Sequence, residues 1–248
     1  MYYQVEGTNL RVLGSIHEFP VENRNMPKWV WNGFNWCEGL FFEGNGEALG
    51  TVGFSDDGFT LKQKLPRDLW DGVITFWVPE RAMLVKPWVT MAVHDRIMGA
   101  IHPGVESQFK KRHKLNPKRF VDYLETNEEM AAIAETVPER DYVEALRFAI
   151  ANETVLKKAF LKSYKAWIAG RTEEVQQYAQ TEPVYRFPRI WEAWCCGRNH
   201  NWMNRIRLLF CSRKNVLIVV GAGHLWGAGG LQQLFGDEKH PLIPLPFS

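Results

Sequence analysis

Apolar residues cluster in short uninterrupted runs near both ends of the chain and recur at helical spacing through its middle. Residues 10–13, 40–42, 120–124 and 216–220 each predict a short strand, and the last run is apolar throughout. Strands that are apolar on both faces are typical of parallel sheets covered by helices. The pattern therefore predicts an α/β fold with a mostly parallel central sheet flanked by helices.

Helical periodicity fills most of the sequence between these runs. Pro27 and Pro66 each predict a helix start, because proline is favoured in the first turn. Residues 138–180 have apolar positions three and four apart and predict a helical insert, and a further helix is predicted from about residue 188 to 210. No linker rich in Gly, Ser or Pro divides the chain, so we predict one domain over residues 1–248.

Composition narrows the classes of protein that the chain can belong to. Hydrophobic residues make up 46% of the 248 residues, which excludes a disordered or fibrous protein. The net charge of +2 does not indicate a nucleic-acid partner, and we interpret the one basic run, residues 110–114, as a solvated helix face. The four cysteines include no CxxC pair, which disfavours a thiolate zinc site.

The sequence shows no recognisable targeting signal. Polar and strand-like residues follow Met1 directly, without the basic start and apolar stretch of a signal peptide. The longest apolar run near the carboxyl terminus is far shorter than the ~20 residues of a membrane helix. We therefore expect a cytoplasmic protein with no membrane span, and the sequence does not indicate its oligomeric state.

Four polar side chains lie at the ends of predicted strands: His17, Glu43, Glu125 and His224. Ligands of open α/β sheets bind at the carboxyl ends of the strands, where loops converge. Each residue alone is more commonly a hydrogen-bonded structural residue. Together, two imidazoles and two carboxylates form a set suited to a divalent metal such as Mn, Fe, Co or Zn.

Arg198 and Asn199 flank the apolar stripe of the helix predicted near the carboxyl terminus. A guanidinium is costly to bury without a partner, so Arg198 needs an anion close by. Two interpretations remain open. Arg198 forms a structural salt bridge, or it anchors a substrate carboxylate or stabilises a developing oxyanion.

Several segments along nearly the whole chain resemble the TraB/GumN family, which includes the Tiki proteins. Residues 14–17 and 221–224 are two Gly-x-x-His (GxxH) motifs, and the second, in Val219-Val220-Gly221-Ala222-Gly223-His224-Leu225, is the most specific similarity. Further segments that resemble the family are Leu40-Phe41-Phe42-Glu43, Gly104-Val105-Glu106, Leu124-Glu125-Thr126 and Arg198-Asn199. Glu106 stands where the family usually has aspartate.

The resemblance implies a fold of the EreA/ChaN-like, TraB/GumN type and a site built around the two GxxH motifs. Tiki relatives are metal-dependent peptidases, whereas TraB relatives are tied to shutting down peptide pheromones. The resemblance also implies roles for seven side chains. His17 and His224 are expected to be metal ligands, and Glu43 a metal ligand or the catalytic base. Arg198 and Asn199 are expected to be catalytic, and Glu125 and Glu106 to bind substrate.

We therefore interpret the protein as a metal-dependent hydrolase of peptide or amide bonds that uses Mn, Co or Zn. An alternative from another class is a protein without catalytic activity that sequesters a peptide or haem in the same pocket. Hydrolysis of a peptide library distinguishes the two.

Overall fold

The computed structural model describes residues 1–20, 26–45, 53–54, 58–76, 84–115 and 117–246. Its strands are β1 Tyr2–Val5, β2 Leu10–Ser15, β3 Glu18–Pro20, β4 Gly39–Phe42, β5 Ala100–Pro103, β6 Phe120–Tyr123, β7 Val216–Gly221 and β8 Leu242–Pro244. Six of them form the central sheet in the order β6-β4-β7-β2-β1-β8, and β3 pairs with β5 in a separate two-stranded sheet.

The centre of the large sheet is parallel, as the apolar runs predict. Strands β6, β4, β7 and β2 pair in parallel, and β1 and β8 add two antiparallel pairings at one side. Every residue of β7 is buried, which fits its central position between β4 and β2. The pairing of β2 with β7 aligns Ser15 with Gly221, so the two GxxH motifs leave neighbouring strands side by side.

Helices cover the sheet and form the middle of the chain. They are α1 Lys28–Trp36, α2 Leu61–Lys64, α3 Arg67–Phe76, α4 Met91–Ile97, α5 Val105–Leu115, α6 Asn127–Ala134, α7 Glu139–Ala151, α8 Glu153–Ile168, α9 Thr172–Ala179, α10 Pro183–Arg186, α11 Pro188–Trp191, α12 Arg198–Leu209 and α13 Leu231–Asp237. Two 3₁₀ turns, Pro87–Thr90 and Ala222–Leu225, and one π-helical turn, Glu192–Gly197, complete the described helical structure.

The stretch predicted as a helical insert consists of α7, α8 and α9. Gly170 has a φ of 72°, a conformation that favours glycine, and it separates α8 from α9. Trp167 of α8 is fully buried and its indole N–H donates to the carbonyl of Gly14 at 2.8 Å. The insert therefore packs directly against the first GxxH motif.

The helix predicted from about residue 188 to 210 is present but is not uniform. The π-helical turn Glu192–Gly197 lies between α11 and α12, and such turns add one residue to the helix and change the direction of later side chains. Arg198 follows this turn directly. No helix among the described residues is long and apolar enough to cross a membrane.

Candidate active site at the carboxyl ends of the parallel strands

Four parallel strands deliver the polar residues of the site from the same edge of the sheet. His17 lies two residues beyond β2, Glu43 follows β4 directly, and His224 lies in the 3₁₀ turn after β7. Glu125 lies two residues beyond β6, where its backbone N–H donates to the carbonyl of Glu43 at 2.9 Å. The strand order thus brings together side chains that are widely separated in sequence.

The histidines of the two GxxH motifs approach the same carboxylate oxygen. Oε1 of Glu43 lies 3.5 Å from Nε2 of His17 and 3.6 Å from Nε2 of His224. The same oxygen accepts a hydrogen bond from the backbone N–H of Gly221. Two imidazoles and one carboxylate therefore meet at the ends of β2, β4 and β7.

His17 is oriented by Glu106 through its other ring nitrogen. Nδ1 of His17 lies 3.1 Å from Oε1 of Glu106, and the hydroxyl of Ser15 donates to the same oxygen. The start of α5 brings Glu106 there, because the backbone N–H of Gly104 donates to the carbonyl of His17 at 3.0 Å. A side chain at Gly104 would collide with that backbone. Glu106 thereby directs Nε2 of His17 towards Glu43.

His224 is oriented in the same way by Asn199. The amide nitrogen of Asn199 donates to the carbonyls of His224 and Gly229, at 3.1 and 2.9 Å, so Oδ1 is left to accept from Nδ1–H of His224 at 2.8 Å. This pairing leaves a lone pair on Nε2 of His224. Asn199 is 1% exposed, its amide is engaged at both ends, and it does not line the cavity beside the site.

Arg198 holds two carboxylates in place. Its Nη2 donates to Oε2 of Glu43 at 2.8 Å and also to Glu125, and its Nε donates to Oε1 of Glu125 at 2.9 Å. The indole N–H of Trp202 donates to Oε2 of Glu125 at 2.9 Å. The structural salt bridge predicted for Arg198 is therefore present. Among the described residues, Nη1 of Arg198 makes only longer contacts, 3.4 Å to Nε2 of His224 and 3.5 Å to the carbonyl of Trp194.

The charges in this network determine which groups ionise. Burial opposes ionisation of Glu43, but the charges of Arg198 and His17 and the Gly221 amide together hold its pKa well below the usual range. Burial lowers the pKa of His224 to about 3, so its imidazole is neutral. Burial also disfavours protonation of His17, but Glu106 and Glu43 outweigh it and raise the pKa, although water screens the 52% exposed imidazole.

Glu125 is almost fully buried, and burial raises its pKa despite the opposing effect of Arg198. The network therefore contains three carboxyl groups, those of Glu43, Glu106 and Glu125, and one guanidinium, that of Arg198. An excess of negative charge in a buried site favours an additional cation or proton.

The spacing of the ligand atoms bears on whether a metal ion fits. Bonds of about 2.1 Å from one metal separate neighbouring ligand atoms by about 3.0–3.4 Å. The 3.5 and 3.6 Å separations at Glu43 slightly exceed this, and within the described part of the chain no three His, Cys, Asp or Glu side chains are already spaced to hold a metal ion. To reach ligand spacing, both imidazoles would have to move slightly closer to Oε1 of Glu43.

A cavity of about 1060 Å³ opens onto the site. Its wall includes His17, Glu43, Glu106, Glu125, Arg198 and His224 together with apolar side chains of the helical layer. The volume is of the size that accommodates small molecules or short peptides. All seven residues singled out from the sequence thus belong to one hydrogen-bonded and ionic network beside this cavity.

Several members of the network were not identified from the sequence. Ser15 and Trp202 donate hydrogen bonds to Glu106 and Glu125, and the π-helical turn Glu192–Gly197 precedes Arg198. Trp202 lies in the apolar stripe of its helix, and a buried indole N–H needs a hydrogen-bond acceptor, so the sequence indicates that Trp202 has a polar partner. The π-helical turn has no comparable signature in the sequence.

Gly221 allows the two motifs to approach each other. A Cβ atom there would lie 2.5 Å from Nε2 of His17 and 3.2 Å from Oε1 of Glu43, although the backbone φ suits any residue. We expect Gly221→Ala to lower the free energy of unfolding by about 1–3 kcal/mol, because the crowded side chains must shift. Urea unfolding measures this loss.

Gly236→Ala is the matched control, because nothing lies within 4 Å of a Cβ at Gly236 in α13. An exposed helical site of this kind is expected to gain about 0.4–1 kcal/mol when glycine is replaced by alanine. Equal stability of Gly221→Ala and the wild type would contradict the close packing of the two GxxH motifs.

Comparisons with known proteins identify the family to which the chain belongs. No curated protein and no solved structure matches the chain. The sequence does match the TraB/PrgY/gumN family over residues 3–240, nearly its whole length, and the match includes both GxxH motifs. The chain therefore belongs to the TraB/PrgY/gumN family.

Proposed function

We propose that the protein is a metal-dependent hydrolase of peptide or amide bonds, in which His17, His224 and Glu43 hold one divalent cation, Mn, Co or Zn. The observation that carries the proposal is the approach of both GxxH histidines to Oε1 of Glu43, at 3.5 and 3.6 Å. A mixed set of two imidazoles and one carboxylate is common at catalytic metal sites with an open position.

The partners of the ligand side chains support the proposal. Histidine ligands of metals almost always donate their second ring nitrogen to a carboxylate, a carbonyl or another acceptor. Glu106 engages Nδ1 of His17, and Asn199 engages Nδ1 of His224. Both imidazoles are thereby held with Nε2 towards Glu43, which is the orientation that a shared cation requires.

The electrostatics point in the same direction. The carboxyl groups of Glu43, Glu106 and Glu125 outnumber the guanidinium of Arg198, and a divalent cation would replace the proton that His17 otherwise takes up. Glu43 acts as a ligand in this proposal and not as the base, because its lowered pKa makes it a poor proton acceptor.

The chain's own residues would prepare the substrate. A cation bound at this site supplies Lewis-acid polarisation of a carbonyl and acidifies water. Arg198 fixes Glu43 and Glu125, and its Nη1, with only long contacts, can donate to negative charge that develops on the substrate. Asn199, Glu106 and Glu125 serve as positioning residues for His224, His17 and Arg198.

A protein that sequesters a ligand is the second candidate, favoured by the volume of the cavity, about 1060 Å³, and by its largely apolar wall. A bound peptide or haem would occupy the cavity without reaction. Haem would be detected by its absorbance after titration into the purified protein.

The decisive experiment is metal analysis of protein purified without chelators, followed by incubation of a peptide library with protein loaded with Mn, Co or Zn. We expect one metal ion per chain and metal-dependent cleavage detected by mass spectrometry. A chelator should abolish cleavage and the metal should restore it. Failure to retain any of the three metals would reject the proposal, and metal retention without cleavage would favour the sequestering protein.

A further inference from the structure

The charged side chains around the cavity are arranged by sign. Three lysines of α5, namely Lys110, Lys111 and Lys114, line one part of the wall, and they belong to the basic run first interpreted as a solvated helix face. Three acidic residues, Glu18, Asp95 and Glu182, line another part. The hydrolytic residues lie between the two groups.

Ring contacts place Lys110 near the ends of β6 and β4. The ammonium group of Lys110 lies 5.3 Å from the centre of the Phe42 ring and 5.2 Å from that of Tyr123, and it donates to the carbonyl of Asn45. Phe42 ends β4 and Tyr123 ends β6, the outermost parallel strand. Lys111 and Lys114 line the cavity from the same helix.

The acidic group lies near β2, at the other end of the parallel region. Glu18 belongs to β3, one residue after His17, and Asp95 interacts electrostatically with both Glu18 and His17. Burial raises the pKa of Asp95 to about 7 and that of Glu182 to about 8, so at pH 7 the pair retains protons that a bound ammonium group would displace. Arg96, which is exposed and does not line the cavity, offsets part of this negative charge.

His94 gives an independent indication that this part of the cavity takes a polar ligand. It lines the cavity, is 2% exposed, and neither of its ring nitrogens has a hydrogen-bond partner among the described residues. An unpaired polar group in such a position is costly, and a ligand that supplies a hydrogen bond would remove that cost.

We propose that the cavity binds a short extended peptide by both of its termini, with the α-ammonium group at Asp95 and Glu182 and the α-carboxylate at Lys111 and Lys114. This inference rests on the proposed hydrolase function for its peptide substrate class. Strands β2, β7, β4 and β6 span about 14 Å across three inter-strand spacings, which is the length of about four extended residues. The width of the parallel region matches a tetrapeptide with free ends, which is the substrate class that we infer.

The test uses Leu-Ala-Leu-Ala as the probe in four forms: with both ends free, with the amino end acetylated, with the carboxyl end amidated, and with both ends blocked. Isothermal titration calorimetry at pH 7 measures binding to the purified chain in the presence of a chelator, which arrests metal-dependent hydrolysis. We expect acetylation to weaken binding at least tenfold and amidation to weaken it about threefold to tenfold, more so at low salt.

Variants assign each effect to its own part of the wall. In the double variant Asp95→Asn, Glu182→Gln, acetylation should no longer matter, while in Lys111→Ala, Lys114→Ala amidation should no longer matter. Glu173→Gln and Lys118→Ala, which change exposed charges away from the cavity, are the matched controls and should retain both effects.

Equal binding of all four peptides, no binding of any of them, or end effects that persist in the cavity variants would overturn the inference. Its failure is distinguishable from failure of the proposed function. Metal-dependent cleavage without any preference for free ends would leave the hydrolase standing and reject the two-ended site. End-dependent binding without cleavage in any metal would support the two-ended site and reject the hydrolase.

Discussion

Arg198→Ala is expected to lower the free energy of unfolding by about 3–5 kcal/mol at pH 7, because it leaves two buried carboxylates without their cation. Glu43 and Glu125 are 9% and 3% exposed, so water cannot replace the guanidinium. Arg198→Lys should lose less, since one ammonium retains the charge but cannot bond to both carboxylates with a planar fork. Urea unfolding of both variants measures the losses.

Arg205→Ala in the same helix is the control for this prediction. Arg205 pairs with Glu129 at 3.0 Å, but both side chains are more than one third exposed. Exposed pairs contribute about 0–1 kcal/mol, so the control should lose less than about 1 kcal/mol. A similar loss in Arg198→Ala and Arg205→Ala would contradict the structural importance of the buried pair.

The loss in free energy of unfolding caused by Arg198→Ala should also depend on pH. In the wild type the folded-state pKa of Glu43 is lowered, so its contribution to stability is present above the unfolded-state pKa and is lost as pH falls through the folded value. Without Arg198 both carboxyl groups should have raised pKa values and destabilise the folded state most at neutral pH. The difference between variant and wild type should therefore shrink between pH 7 and about pH 4, and a constant difference would contradict this.

The central sheet and the positions of the candidate site residues are both predictable from the sequence, because both depend on how the strands are buried. A strand buried on both faces must be apolar throughout, which makes β7 recognisable. A polar residue just after such a run must lie at the carboxyl end of the strand. Glu43 follows its strand directly, whereas His17 and His224 lie two and three residues beyond theirs. The helix cap at Thr126, where the side chains of Thr126 and Glu129 bond reciprocally to the backbone, has an equally local signature.

Other features depend on contacts between distant segments and were not predicted. Strands β3, β5 and β8 are short and show no alternation of apolar and polar residues, so neither the β3–β5 pairing nor the edge strand β8 is predictable. The family resemblance implies a catalytic role for Asn199 but not its contacts, in which its amide nitrogen donates to the carbonyls of His224 and Gly229. Such a role follows from the geometry of the turn after β7, which no pattern in α12 encodes.

His17→Ala and His224→Ala are each expected to weaken binding of Mn, Co or Zn by about a hundredfold or more, while the double variant should bind little more weakly than either single variant. The reason is that both imidazoles lie beside one carboxylate oxygen of Glu43, so the loss of either leaves an incomplete ligand set. Metal titration of the three variants and the wild type measures the coupling.

His200→Ala is the matched control, because His200 is exposed on α12 and its Nδ1 contacts the carbonyl of Cys196 at 2.8 Å. It should bind metal as the wild type does. The thermal unfolding of all variants separates binding from folding: His17 is half exposed and its removal should cost little stability, whereas His224 is buried and packs on Trp202 with ring centres 4.4 Å apart.

Two independent structural histidines would behave differently. Their effects would fall on stability and would sum, because sites that share no partner are additive. Additive stability losses with unchanged metal binding would reject the shared site, even though both side chains face Glu43. Non-additive loss of metal binding, with His200→Ala unaffected, would instead establish that the two GxxH motifs act as one unit, since neither histidine could then hold the metal without the other.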